Sequence, residues 1–181
     1  MLFAAIVPTS PVLRAVENAV DGNGAEPFPL RPLDDLNLPV ARFGNTTYDV
    51  ADRLVGMLAD AAAGWSPLRL SLGGASVVET PAERRLGLEV RSEDESLFRL
   101  SLDIKKTAER MRFLLDRRDF TPVLTLASVR AGAPSGIDAA AAALASFESD
   151  PWWLTAVSMR KQTYGNDYAS EELAQVPIGG A

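Results

Sequence analysis

The chain has 181 residues, 47% of them apolar and 23% charged, with a formal net charge of -6, no cysteine and no histidine. At this length roughly two-thirds of the unfolded surface can be buried, so one domain, or two small lobes on a shared core, needs no covalent staple. Lack of cysteine excludes disulfides and thiolate metal sites; lack of histidine removes the commonest general acid–base group, the commonest metal ligand and the usual pH switch.

Leu2 to Val7 reads as a buried strand, followed by a helix with Ser10 as N-cap and Pro11 at its first position. Val12, Ala15, Val16 and Val20 recur at helical spacing, and Asp21-Gly22-Asn23-Gly24 is a stop signal. Residues 21–32 form an irregular connection. Leu36 to Phe43 reads as a strand in which Pro39, unable to donate to a ladder, implies an edge or a bulge. Gly44 to Thr47 turn the chain into a helix over Tyr48–Ala63, with an apolar stripe of Val50, Leu54, Met57, Leu58 and Ala61 and a cap from the Asn45-Thr46-Thr47 cluster.

Leu68–Val78 and Leu86–Arg91 follow as strands joined by a loop around Thr80–Arg84. Gly73-Gly74 marks a bulge in the first of them. Leu97, Leu100, Ile104, Ala108, Met111 and Leu115 define a third amphipathic helix, and Val123 to Val129 a further strand. Ala139 to Phe147 is helical, and Trp152–Met159 and Leu173–Ile178 close the chain as strands. Adjacent strand pairs exclude a simple doubly wound parallel sheet and favour an α+β fold with mostly antiparallel sheet. No long linker divides residues 1–181, so they are expected to form a single bilobal domain.

Two strands echo each other: Leu36-Asn37-Leu38-Pro39-Val40-Ala41-Arg42-Phe43 and Pro122-Val123-Leu124-Thr125-Leu126-Ala127-Ser128-Val129. Each follows a loop and precedes a helix. Phe120-Thr121-Pro122 introduces the second, and the tail runs Ser158-x5-Tyr164-Gly165-x2-Tyr168, then Val176-Pro177-Ile178. With the strand–helix–strand–helix order, these features resemble the 2H phosphoesterase superfamily over essentially the whole chain. The nearest group is the bacterial 2′-5′ RNA ligases, or RNA 2′,3′-cyclic phosphodiesterases. The resemblance implies two pseudo-symmetric lobes with helices on the outer faces and a central cleft. It also implies one His-x-Thr (or Ser) motif per lobe, the histidines acting as general base and acid and the hydroxyls holding phosphate oxygens.

Carried over position by position, the motif is degenerate. Asn37 and Val123 stand where the histidines would be, Pro39 replaces the first hydroxyl residue, and Thr125 is the surviving hydroxyl. Asn can hydrogen-bond but does not titrate near neutrality, and Val does neither. Each positioned proton-transfer group contributes about 10²–10⁴ in rate, so losing both costs on the order of 10⁴–10⁸. The expectation is a cyclic-phosphodiesterase-like protein that has lost catalysis and retains phosphate, nucleotide or RNA-end binding. Two alternatives stay open: an altered phosphodiesterase or ligase using carboxylates and arginine, and a purely structural interaction module.

Asn37, Pro39, Val123 and Thr125 are therefore the candidate ligand-binding positions, against the plain reading of Thr125 as a β-former. Arg42, Arg117 and Arg118 are candidate anion contacts, Arg42 set against an outward-facing strand residue and the pair against solvated loop arginines. Tyr168 is a candidate at the cleft edge. Arg84-Arg85 reads as a solvated loop pair and Asp34-Asp35 as a turn cap; no metal or cofactor is expected. Trp152-Trp153 should place one ring inward and one outward. The acidic balance argues against a broad nucleic-acid surface, although a local arginine cluster in a cleft is compatible with it. MLFAAIV has no basic n-region and no stretch approaches about 18 apolar residues, so a cytoplasmic protein without membrane contact is expected.

Overall fold

A computed structural model of the chain describes residues 1–21, 29–113, 115, 119–133, 136–162 and 169–179. The first half of the chain runs β1 (Leu2–Ile6), α1 (Ser10–Asp21), β2 (Leu38–Gly44) and α2 (Tyr48–Ala62). A hairpin of β3 (Leu68–Glu79) and β4 (Glu83–Ser92) follows, then α3 (Ser96–Arg110), β5 (Val123–Arg130) and α4 (Ile137–Ala143). The chain ends with β6 (Trp152–Leu154), β7 (Ala156–Gln162) and β8 (Ser170–Pro177).

The strands form two four-stranded sheets, ordered β2-β1-β7-β8 and β5-β4-β3-β6, with every pairing antiparallel. The expected α+β architecture of two mainly antiparallel sheets with helices is therefore present. The sheet orders also expose a repeat: β1-α1-β2-α2 is matched by β4-α3-β5-α4, each unit pairing its two strands at one side of a sheet. The short run Leu2–Ile6 is buried throughout, as expected of a strand flanked on both sides.

The strand echo has the register the sequence suggested. In the β1–β2 ladder Ala5 faces Pro39 and Ala4 faces Ala41, leaving Val40 as an extra residue. In the β4–β5 ladder Gly87 faces Thr125 and Leu86 faces Ala127, leaving Leu126 as the extra one. Val40 and Leu126 occupy the same step of the two echoing strands. Pro39 is tolerated because β2 is an edge strand with its bulge one residue on.

A bulge takes a carbonyl out of the regular ladder, and buried carbonyls need donors. Each half of the molecule supplies the donor for the other. Ser101 Oγ of α3 donates to Val40 O at 2.7 Å. Arg31 N, from the segment before β2, donates to Leu126 O at 2.9 Å.

Leu38, Leu54, Leu86, Ile104, Leu124 and Val176 belong to one continuous core cluster that runs through both halves. Each fully buried Leu or Ile contributes about 1.5–3 kcal/mol. α3 packs on β2, α4 on β3 and β4, and α2 on β8. Among the described residues no helix is long and apolar enough to cross a membrane.

Several local expectations shift. Trp152–Met159 is two strands rather than one: β6 pairs with β3, and after Thr155 β7 pairs with β1 in the other sheet. The buried face of α2 is Ala51, Leu54, Leu58 and Ala62, rotated from the expected stripe because two alanines share the core. Thr47 caps α2 without a side-chain hydrogen bond. α3 stops at Arg110, its C-cap Met111 being followed by Arg112 with φ of 60°, so Met111 and Leu115 lie beyond it. Gly74, with φ of 68°, sits at the predicted bulge of β3. Trp152 is buried and Trp153 exposed, as strand alternation requires.

Candidate functional site

The two bulged edge strands, β2 and β5, lie side by side and their outward faces border one cleft. Alternation sets what each strand presents. Leu38, Val40, Leu124 and Leu126 are buried, while Pro39, Arg42, Thr125 and Ser128 are partly exposed and line the cleft. The neighbouring strands add Phe3, paired with Arg42, and Arg85, paired with Ser128. Phe3 and Arg85 thus hold corresponding places in the two halves, as do Arg42 and Ser128.

The cleft divides into two adjoining compartments of about 340 and 190 Å³. Pro39 and Val123 enter the wall of the larger and Asn37 that of the smaller; Pro39, Arg42, Arg85 and Thr125 border both. All four echo positions, residues 37, 39, 123 and 125, therefore converge on one hollow, together with Arg42. Arg117, Arg118 and Tyr168 lie outside the described residues.

Val123, paired with Glu89, leans over Gly87, its diagonal neighbour on β4. A Cβ on Gly87 would fall 2.3 Å from Val123 Cγ1, so only glycine lets the valine lie flat there. Asn37 precedes β2 rather than lying within it, is 5% exposed, and donates through Nδ2 to Asp35 O at 2.9 Å. Its amide thus closes a local turn as well as facing the cleft.

Arg31, Arg42, Arg85 and Lys105 line the two compartments, against the carboxylates of Glu83 and Asp119. The hollow therefore carries a surplus of cations in a chain of net charge -6, and its local field is positive. Glu83 bridges two cleft residues, accepting from Ser128 Oγ and lying 3.2 Å from Nε of Arg85. The Arg42 guanidinium carbon lies 6.0 Å from the Phe3 ring centroid. Arg31 Nη1 donates to Thr125 O at 3.3 Å. Among the described residues no group of three or more acidic side chains is placed to hold a metal ion.

Arg84 and Arg85 are not a solvated loop pair. Both lie in β4; Arg84 makes a two-pronged pair with Asp138 of α4, and Arg85 faces the cleft. The signal was present: Leu86, Leu88 and Val90 point inward, which puts Arg85 and Gly87 on the opposite face. Arg31, Lys105 and Asp119 carried no such local signal, because they reach the cleft from a connection, a helix and a loop.

No protein-family model and no curated protein matches the chain. Solved structures do. TT0787 of Thermus thermophilus superposes with a TM-score of 0.73 at 18% identity, covering 99% of this chain and 98% of that one. The apo form of E. coli LigT gives 0.68 at 18% identity, with 98% and 96% covered. E. coli LigT complexed with 3′-AMP gives 0.64 at 19% identity, with 98% and 97% covered. The chain has the LigT fold. The match extends over nearly the whole chain, both echoing strands included.

Proposed function

We propose that this chain is a divergent 2H phosphoesterase relative whose cleft binds a phosphate-bearing nucleotide or RNA end and no longer carries out the cyclic-phosphodiesterase reaction. The observation that carries the reading is the convergence of residues 37, 39, 123 and 125 on one cationic hollow. Asn, Pro and Val stand there at three of the four places, and no imidazole exists anywhere in the chain. An in-line displacement at phosphate needs a proton taken from the nucleophile and one given to the leaving oxygen. Thr125, Arg42 and Arg85 can orient and neutralise a phosphate but cannot relay protons near neutral pH. Structures of E. coli LigT hold 3′-AMP, ATP, NADP+ and phosphate, which supports a nucleotide as occupant of the corresponding cleft here.

The test pairs calorimetric titration of the full chain with 3′-AMP and a hydrolysis assay on 2′,3′-cyclic AMP. Binding without turnover is expected. Turnover at the rate of a histidine-bearing LigT protein, abolished by Thr125→Ala, would overturn the reading.

A further inference from the structure

The two compartments of the cleft differ in chemistry. Pro39, Val78, Phe120 and Val123 give the larger one an apolar stretch of wall, with Ser76, Lys105, Asp119 and Thr121 also in its lining. Asn37, Ser128, Gln162 and Ser170 give the smaller one a polar wall. Arg42 and Arg85 belong to both walls, as Pro39 and Thr125 do, so the junction carries two guanidiniums beside these two echo positions.

A phosphate centred between the two echoing strands would face Pro39, which has no N–H, and Val123, which has no polar atom. Placing a phosphate oxygen against such groups removes water without returning a hydrogen bond. A guanidinium fork is the side chain best matched to phosphate oxygens. Glu83 engages Arg85 at Nε, 3.2 Å away, and this contact holds the guanidinium on the cleft wall. The two terminal nitrogens form the fork that a pair of phosphate oxygens would meet.

Resting on the reading that the cleft takes a phosphate-bearing nucleotide, we infer that the phosphate site has moved. It lies at Arg42 and Arg85, and the apolar stretch of Pro39, Phe120 and Val123 holds the flat ring of the nucleobase. Across the two compartments Arg31, Arg42, Arg85 and Lys105 exceed the carboxylates of Glu83 and Asp119 by two charges, which suits a terminal phosphomonoester, carrying about -1.5 to -2 at pH 7, better than a singly charged cyclic diester. The ligand class is therefore a nucleotide ending in a phosphomonoester. A nucleoside monophosphate and the 3′-phosphorylated end of an RNA share that chemistry.

The experiment is calorimetric titration of the full chain and its Arg42→Gln, Arg85→Gln and Val123→His variants with 3′-AMP, 2′,3′-cyclic AMP and a short RNA ending in a 3′-phosphate. Expected are tighter binding of 3′-AMP than of the cyclic nucleotide and a loss of about 10- to 100-fold for each arginine variant. Val123→His should weaken 3′-AMP, although it adds a donor to the centre of the cleft. Binding of either phosphomonoester supports the assignment, and the ratio of the two affinities distinguishes a small nucleotide from an RNA end. Should Arg85→Gln unfold by circular dichroism, Arg85→Lys, which keeps the charge and loses the fork, is expected to lose affinity in the same sense. If Val123→His tightens 3′-AMP while both arginine variants bind normally, the phosphate is central and the inference fails while the functional reading stands. If the unmodified chain binds none of the three, the functional reading fails as well.

Discussion

Ser101 and Val40 join the two halves of the molecule through one buried hydrogen bond, 2.7 Å from hydroxyl to carbonyl. Both residues are 2% exposed, so water cannot replace the donor. Ser101→Ala is expected to cost about 1–3 kcal/mol. Urea denaturation should show a lower midpoint with an unchanged slope. A midpoint within error of the parent would show that the bulge carbonyl finds another donor.

Gly87→Ala is expected to be destabilising for a reason that a smaller valine cannot remove. The added Cβ would meet Val123 Cγ1 at 2.3 Å and the Leu124 carbonyl oxygen at 2.9 Å. Relieving the first contact requires the valine to move; relieving the second requires β5 to move. A loss of about 1–3 kcal/mol is expected, and a Gly87→Ala/Val123→Ala double variant should recover only part of it. Thermal unfolding of the two variants measures the split.

Acid should weaken the fold through two carboxylates. The hydrogen bonds from Arg84 hold Asp138 below the usual carboxylate range, and those from Ser96 do the same for Asp94. A depressed folded-state value means that the contribution is present above the unfolded value of about 3.9 and is lost as pH falls through the folded one. Asp138→Asn should therefore be less stable than the parent at neutral pH, with the difference closing in strongly acid solution. Unfolding midpoints across that range report it; a constant difference would contradict the assignment.

Restoring the motif tests the architecture of the cleft. Asn37→His, Pro39→Thr and Val123→His together are expected to raise 2′,3′-cyclic AMP hydrolysis above the parent by about 10²-fold or more. The histidine at 37 must also replace the Asn37 donor to Asp35 O, which an imidazole N–H can do. A folded but inert triple variant would show that the cleft has diverged beyond these side chains.

Much of the framework was legible because it is written in short-range patterns. Pro39 announced an edge or a bulge, and β2 has both. The echo of residues 36–43 in 122–129 carried the correct register, down to the shared step of the bulge. What escaped was set by tertiary partners. Trp152-Trp153-Leu154-Thr155-Ala156-Val157 contains no breaker, so nothing local says that the chain changes sheets at Thr155. Arg85 was hidden by a hairpin tighter than expected, closed by Thr80 N donating to Glu83 O at 2.9 Å, which brings the arginine pair into β4. Met111 and Leu115 kept the helical spacing but lie beyond the last helical residue, Arg110, with the backbone turning left-handed at Arg112.

The change of sheets at Thr155 has a consequence for synthesis. β1 lies between β2 and β7, yet β7 (Ala156–Gln162) is synthesised long after Leu2–Ile6. Until then Leu2–Ile6, an uncharged run without proline, presents a bare flank to the cell. Such a flank is a template for pairing with other nascent chains. A strand made late, β7, is thus the one that shields the first.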